Sequence, residues 1–340
     1  MGLSYETKMK GVVSATDKVV PAYYLVNAAI EVAVPRGANK DKLLRGTGIF
    51  LEQLSPESRL SAHQCLTLLA NVQSQCNSKD VSFLIGKSLA DVWQSPFLRS
   101  LGHAKNLNRA IKVLQQYRWH SFPFVSFRRH RVNDSLVWVI ENTMGSKKLA
   151  NFLTEMSLSL LVALIKQWAG RRLDLSCQLD QGRPRNISDY ETYLGLNTGF
   201  GSPVVTLSMP ESSLFYEFPN TRAHVVAVEA RVDDFLPQQS LLDLVRFAAI
   251  TTPSKSQSDV AAELGVSAAT LKRSLCDHNT SFRALQEQAK RQQAFILLAL
   301  QKLNNLQGAS RMSVNDLPNF RRTIKRLTGY TPSELRALLP

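Results

Sequence analysis

Two basic side chains early in a short helical pattern suggest the first chemistry. Lys272 and Arg273 stand beside Ala269 and Thr270, and all four face outward once Leu271 and Leu275, spaced i and i+4, turn inward. Lysine and arginine are pure hydrogen-bond donors. On a helix that fits the B-DNA major groove they can meet guanine edges or phosphate oxygens. The chemistry offered is recognition of a polyanion, not bond making.

The elements that must hold these residues lie in Ser258 to Leu275, SDVAAELGVSAATLKRSL. Ala261 is small enough to let two short helices cross closely. Gly265 supplies a turn that calls for positive φ. Ser267 is the expected N-cap of the second helix, its hydroxyl accepting from free backbone N–H groups. Leu271 and Leu275 are expected to pack on Val260 and Leu264. The stretch predicts a helix-turn-helix, although an ordinary helical hairpin would use the same residue types.

The wider chain favours the first reading. Its 340 residues, 44% hydrophobic, suffice for two domains with real cores, and its net charge of +14 points to a polyanionic partner. Ile250 to Pro340 carry 13 Lys and Arg against 6 Asp and Glu, whereas the first 249 residues carry 28 against 21. Positive charge is therefore denser at the C-terminal end.

Cys65, Cys76, Cys177 and Cys276 lack paired spacing, which predicts reduced thiols and a cytoplasmic protein. His63, Cys65 and Cys76 do not have zinc-site spacing and read as part of a buried helix face, so no metal and no cofactor is expected. The first twenty residues are too polar for a signal peptide. Phe152 to Trp168, interrupted by Glu155 and Lys166, reads as a core helix rather than a membrane span.

Taken in order, the first 120 residues are mainly helical. Pro21 opens one helix with Leu25, Ala28, Ala29 and Val32 on a face, Lys40 to Arg45 form a second, Ser61 caps a third and Asn106 a fourth. Phe122 to Val132 and Leu136 to Glu141 predict a hairpin turning at Asn133-Asp134-Ser135, with Arg128 to Arg131 on a solvated strand. A long helix covers Leu149 to Ala169. Strands at Leu173 to Leu179 and Val204 to Leu207 flank a short helix, Asp189 to Leu194, capped by Ser188. Gly195 to Gly201, GLNTGFG, lacks dinucleotide-loop spacing and reads as a surface turn. A helix from Gln239 to Ala249 precedes a polar boundary. The fold class expected is α+β, with a mixed α/β N-terminal domain (1–249), a linker (250–256) and an all-α domain (257–340).

Ser281 is expected to cap a helix from Phe282 to about Leu303, about 33 Å long at 1.5 Å per residue. That is close to one turn of DNA, about 34 Å. A second basic helix follows in Leu317 to Leu327, LPNFRRTIKRL, with Phe320, Ile324 and Leu327 on its inner face and Pro318 in its first turn. A rod with a basic helix at each end can address successive major grooves.

These residues carry a family resemblance. The C-terminal 85 or so residues, through DVAAELGVSAATLKRSL, TSFRALQEQAKRQQA and FRRTIKRLTGYTPSELR, resemble the two-motif DNA-binding domain of the AraC/XylS family of bacterial transcription regulators. Leu271 and Phe320, 49 residues apart, align as equivalent buried residues. Carried over by position, the resemblance implies base reading by Ala269, Lys272 and Arg273, with Ser267 and Thr270 beside them, and in the second helix by Leu317, Arg321 and Arg322. Gly308 and Ser313 depart from the family, standing where a β-branched residue and a turn glycine are usual. NNLQGASRMSVNDLPN is weak for a helix-turn, so Arg321, Arg322 and Lys325 are expected to favour phosphate.

The first 240 residues resemble, in the order of their elements, the subfamily that includes ornithine-utilisation regulators, with an arabinose-binding-like N-terminal domain. The resemblance implies that this half binds a small-molecule effector or mediates dimerisation as a homodimer, with contact to RNA polymerase and regulation of transcription, by activation or by repression. The effector-binding residues are not legible. Phe122 to Val132, Val137 to Ile140 and Met156 to Ile165 are candidate walls, and nearby arginines would suit a carboxylate. Two other classes stand beside this reading. An enzyme with an appended basic domain finds no HExxH, GxSxG or phosphate loop in the sequence. A regulator working through protein contacts would have a second motif that no longer reads DNA.

Overall fold

The computed structural model describes residues 12–221, 239–252 and 255–338. The polar lead up to residue 11 and Pro253-Ser254 of the expected linker lie outside them. The chain forms two compact units, Thr16–Phe235 and Met1–Ala15 with Leu236–Pro340.

The first unit begins with a short antiparallel pair, β2 (Val20–Pro21) and β3 (Arg59–Leu60), β1 (Val12–Val13) belonging to the other unit. Its helices are α1 (Ala22–Ala33), α2 (Lys40–Leu44), α3 (Ala62–Gln75), α4 (Val81–Ala90), α5 (Pro96–Leu101), α6 (Leu107–Gln116) and α7 (Arg118–Ser121). Their starts follow local chemistry. Ser61 and Gln64 form a capping box at α3, and Asn106 accepts from Arg109 N–H at 3.1 Å to start α6.

A five-stranded sheet follows in the order β4-β5-β8-β6-β7, from β4 (Val125–Val132), β5 (Ser135–Asn142), β6 (Ser176–Leu179), β7 (Thr198–Phe200) and β8 (Val205–Pro210). The hairpin closes with Val132 opposite Ser135, and Asn133 takes φ 51°. Asparagine tolerates that left-handed conformation. On β4, Arg129 and Arg131 are exposed while Arg128 and His130 are half-buried; Arg131 pairs with Glu211 at 2.7 Å and Arg128 with Glu141 at 3.8 Å.

α8 (Ala150–Ala169) runs through the core. It is long and apolar enough to cross a membrane by composition, yet 72% of that window is buried inside the structure. Gly86 of α4 permits close crossing with α8, because a Cβ there would collide with the Met156 carbonyl. Glu155 is buried on α8, where Ser82 Oγ donates to Oε2 at 2.6 Å and Tyr190 and Gln181 donate to Oε1.

Three local expectations are corrected here. The short helix α9 is Ile187–Tyr193 with Asn186 at its N-cap, because Ser188 already lies within the first turn. GLNTGFG is not merely a turn: Thr198–Phe200 pairs in parallel with β6, its edge position hiding the usual strand signal. The strand read at 204–207 runs on to Pro210, and that read from 173 starts at Ser176.

In the second unit, β1 pairs in parallel with β9 (Gln239–Ser240). Helices α10 (Leu241–Thr251), α11 (Gln257–Glu263), α12 (Ala268–Asp277), α13 (Phe282–Phe295), α14 (Asn305–Arg311), α15 (Leu317–Thr328) and α16 (Pro332–Ala337) follow. The helix expected from Gln239 starts two residues later, capped by Ser240, whose hydroxyl accepts from Asp243 N–H. Leu241, Leu242, Val245 and Ala248 enter the same core as Val260, Ala261, Leu271, Leu275, Phe282 and Leu285. α10 therefore packs with the C-terminal helices, on the far side of the boundary drawn from sequence.

Candidate nucleic-acid interface

The first pair, α11 and α12, is built as its residues require. Ser256 and Asp259 form a capping box, and the Ser256 backbone N–H and hydroxyl together hold the Asp259 carboxyl below its usual range. Gly265 takes φ 70°, and Val266 N–H bonds back to Ala261 O at 3.0 Å, closing α11 in a Schellman turn. Ser267 Oγ then accepts from Thr270 N–H at 3.0 Å and starts α12. Gln257, unremarked in the sequence, donates to Ala268 O at 2.9 Å and ties the start of one helix to the start of the next.

The second pair, α14 and α15, repeats this plan with different residues. Asn304 and Gln307 form a capping box, which supplies the stability that the run NNLQGASR lacks by propensity. Ser313 takes φ 55°, and Val314 N–H bonds to Ala309 O at 2.9 Å. The same Schellman turn makes Ala261 equivalent to Ala309 and Val260 to Gly308. Asp316 caps α15 where Ser267 caps α12, so the second turn is one residue longer, with Asn315 the extra residue.

The rod between the pairs is shorter than expected. α13 ends at Phe295 and passes into a π-helical turn, Ile296–Leu300, so its last residue is Leu300 and not Leu303. Its helical residues 282–300 span no more than about 28 Å at α-helical rise. The first pair packs against its start through Phe282 and Leu285. Farther along, Arg291 Nε donates to Leu327 O at 2.9 Å, and α16 is tied on by Arg336 Nε donating to Leu303 O at 2.7 Å.

On α12, Ser267, Ala269, Lys272 and Arg273 are exposed and Thr270 is half-buried, 2.8 Å from the Ser267 hydroxyl. On α15, Arg321, Arg322 and Lys325 are exposed. Leu317 is half-buried and aligns with Ala268, while the exposed Pro318 aligns with Ala269 and the exposed Asn319 with Thr270.

Several carboxylates in this unit are engaged elsewhere, although the exposed Asp277 at the end of α12 has no such partner among the described residues. Asp259 and Asp316 cap helices, Glu263 pairs with Lys255, Glu287 lies 3.5 Å from Arg326, and Glu334 caps Thr331 while lying 3.8 Å from Lys325. Bonds from the Thr331 backbone N–H and hydroxyl lower the Glu334 pKa. Among the described residues Lys272, Arg273, Arg321 and Arg322 make no ion pair. The arrangement presents equivalent guanidinium groups, Arg273 and Arg322, on two helices of the same build.

In the first unit, some of the expected effector walls converge: Phe122, Phe124, Met156 and Leu160 line one cavity of about 50 Å³. Val137 to Ile140 lie in the sheet and do not line it, and none of the described lining residues is an arginine.

Residues 37–216, more than half of the chain, match the family described as the arabinose-binding domain of AraC transcription regulators, N-terminal. The chain belongs to this family of transcription regulators. It is 24% identical to the ornithine utilization regulator of Pseudomonas aeruginosa over 96% of this chain and 99% of that protein. The crystal structure of the transcriptional regulator CdpR from Pseudomonas aeruginosa matches 92% of this chain and 96% of that one, at 17% identity and a TM-score of 0.41. A DNA-binding transcriptional dual regulator from Escherichia coli K-12 matches 28% of this chain and 89% of its own, at 20% identity and a TM-score of 0.26.

Proposed function

We propose that this regulator binds double-stranded DNA sequence-specifically through α12 and α15, and that the unit Thr16–Phe235 senses a small molecule. The observation that carries the DNA reading is the repeated helix pair with exposed Arg273 and Arg322 at equivalent positions, neither in an ion pair among the described residues. Arg273 discriminates guanine by a bidentate contact, while Arg321, Arg322 and Lys325 add phosphate neutralisation. Ala269 and Pro318 offer apolar contact of the kind that suits a thymine methyl group.

The regulator acts in the cytoplasm as a homodimer and contacts RNA polymerase, a reading that its family membership supports. An effector shifts transcription only by favouring a DNA-competent arrangement over an incompetent one. The test is a fluorescence-anisotropy titration of the full chain against genomic fragments and a random duplex at several salt concentrations. Preference for a subset of fragments that persists at high salt supports the reading. Equal, weak binding to every duplex, with and without candidate effectors, sinks it in favour of a regulator that works through protein contacts.

A further inference from the structure

Between α1, α4 and α8 lies a cavity of about 50 Å³ lined by Tyr24, Phe122, Phe124, Met156, Ser157 and Leu160 among others. Ser157 is 2% exposed, and its hydroxyl has no hydrogen-bond partner among the described residues. A buried hydroxyl left this way has lost its water without gaining a partner. The other serines on the wall are already committed. Ser95 Oγ accepts from Leu98 N–H at 3.2 Å, and Ser121 Oγ lies 3.2 Å from both Leu114 O and Tyr117 O. A water needs about two to four polar partners to be held in a protein interior, and this wall offers few free ones. None of the described lining residues is an aspartate, glutamate, lysine, arginine or histidine, so a charged group entering here would be desolvated without compensation.

We propose that this cavity is the effector site and that it takes a neutral, short-chain aliphatic molecule carrying one hydroxyl or carbonyl oxygen. The oxygen hydrogen-bonds to Ser157, and the alkyl portion packs on Phe122, Phe124, Met156 and Leu160. The volume is about a third of the roughly 150 Å³ engineered cavity that admits benzene. It therefore suits a few carbons and no aromatic ring. Gly86 of α4 sits directly against the Met156 carbonyl, so a ligand touching Met156 also borders the α4–α8 crossing. This proposal rests on the reading of Thr16–Phe235 as a sensor.

The probe is 2-fluoroethanol, with fluoroacetate and 2-fluoroethylamine as matched charged controls, observed by fluorine NMR on the full chain. Saturable line broadening by the alcohol is expected, with at least tenfold weaker binding of both controls. Ser157→Ala, which keeps the fold by removing an unpaired polar group, should weaken the alcohol about twofold to tenfold, as for loss of one hydrogen bond. Leu160→Phe, checked for folding by circular dichroism, should abolish binding. No saturable binding, equal binding of the charged controls, or binding untouched by both substitutions overturns the site. Adding the alcohol to the DNA titration tests the sensor reading separately: saturable binding that leaves DNA affinity unchanged overturns the effector role while keeping the site.

Discussion

The ring of Phe320 lies against Gly308: a Cβ added at Gly308 would sit 2.8 Å from Phe320 Cζ and 3.4 Å from Leu298 Cδ2. The equivalent residues of the first pair are Leu271 and Val260. The two pairs thus fill one space with opposite divisions of volume, a large ring over no side chain and a smaller side chain over a β-branched one. Gly308→Val should destabilise the C-terminal unit by about 1–3 kcal/mol through overpacking. Adding Phe320→Leu should recover most of that loss. Thermal melts of both variants check this, and the absence of recovery would refute the equivalence.

Arg273→Ala and Arg322→Ala are expected to fail differently. The first should reduce discrimination between specific and random duplexes about tenfold or more. The second should weaken all duplexes alike and lower the salt slope by about one. Anisotropy at several salt concentrations separates them, and matching losses on both DNAs for both variants would end the division of labour.

A fragment beginning at Ile250 loses Leu241, Leu242, Val245 and Ala248 from a core shared with Leu271 and Leu275. Each large aliphatic side chain contributes about 1.5–3 kcal/mol on burial, and a whole domain is stable by only about 5–15 kcal/mol. That fragment should show no cooperative melt, whereas one beginning at Gln239 should. Circular dichroism melts of the two decide it.

His130 is half-buried, and burial followed by the nearby Arg128 charge lowers its pKa. The unfolded chain therefore binds a proton more readily than the folded one as pH falls below about 6.5. Stability contributed by the neutral ring is full above that pH and is lost as pH falls through the depressed folded value. The melting temperature of the first unit should drop between pH 7.5 and 5.5, as measured by calorimetry. In His130→Gln the drop should shrink.

Thiol reactivity should single out Cys276. It is exposed, whereas Cys65, Cys76 and Cys177 are buried, and burial pushes the Cys177 thiol up to about 12. Brief iodoacetamide treatment of the folded protein should label Cys276 first, as read by peptide mass spectrometry. Equal labelling of Cys177 would show that the core opens.

The first helix pair was legible because every requirement in it is local: Gly265 for the turn, Ser267 for the cap, Leu271 and Leu275 for the core. The second pair hid its signals, since Asn304 with Gln307 is an uncommon capping box and Ser313 does a glycine's task at φ 55°. Non-local features left no periodicity to read. Nothing around Leu241 shows that its neighbours are Leu271 and Leu275, and Glu155 is buried only because Ser82, Gln181 and Tyr190 arrive from other elements. The cavity wall was half visible, through Phe122 and Met156, while Ser157 looked like an ordinary helix residue.

The parallel pairing of Val12 with Gln239 and Val13 with Ser240 gives the chain the topology of an insertion, with the whole first unit threaded between two neighbouring strands. Chain leaves β1 at its C-terminal end and returns to β9 at its N-terminal end, which in a parallel pair are opposite ends. Val12, which enters the core of Leu241 and Leu271, is thus separated from them in sequence by the whole first unit, so that core closes only once both ends of that unit exist.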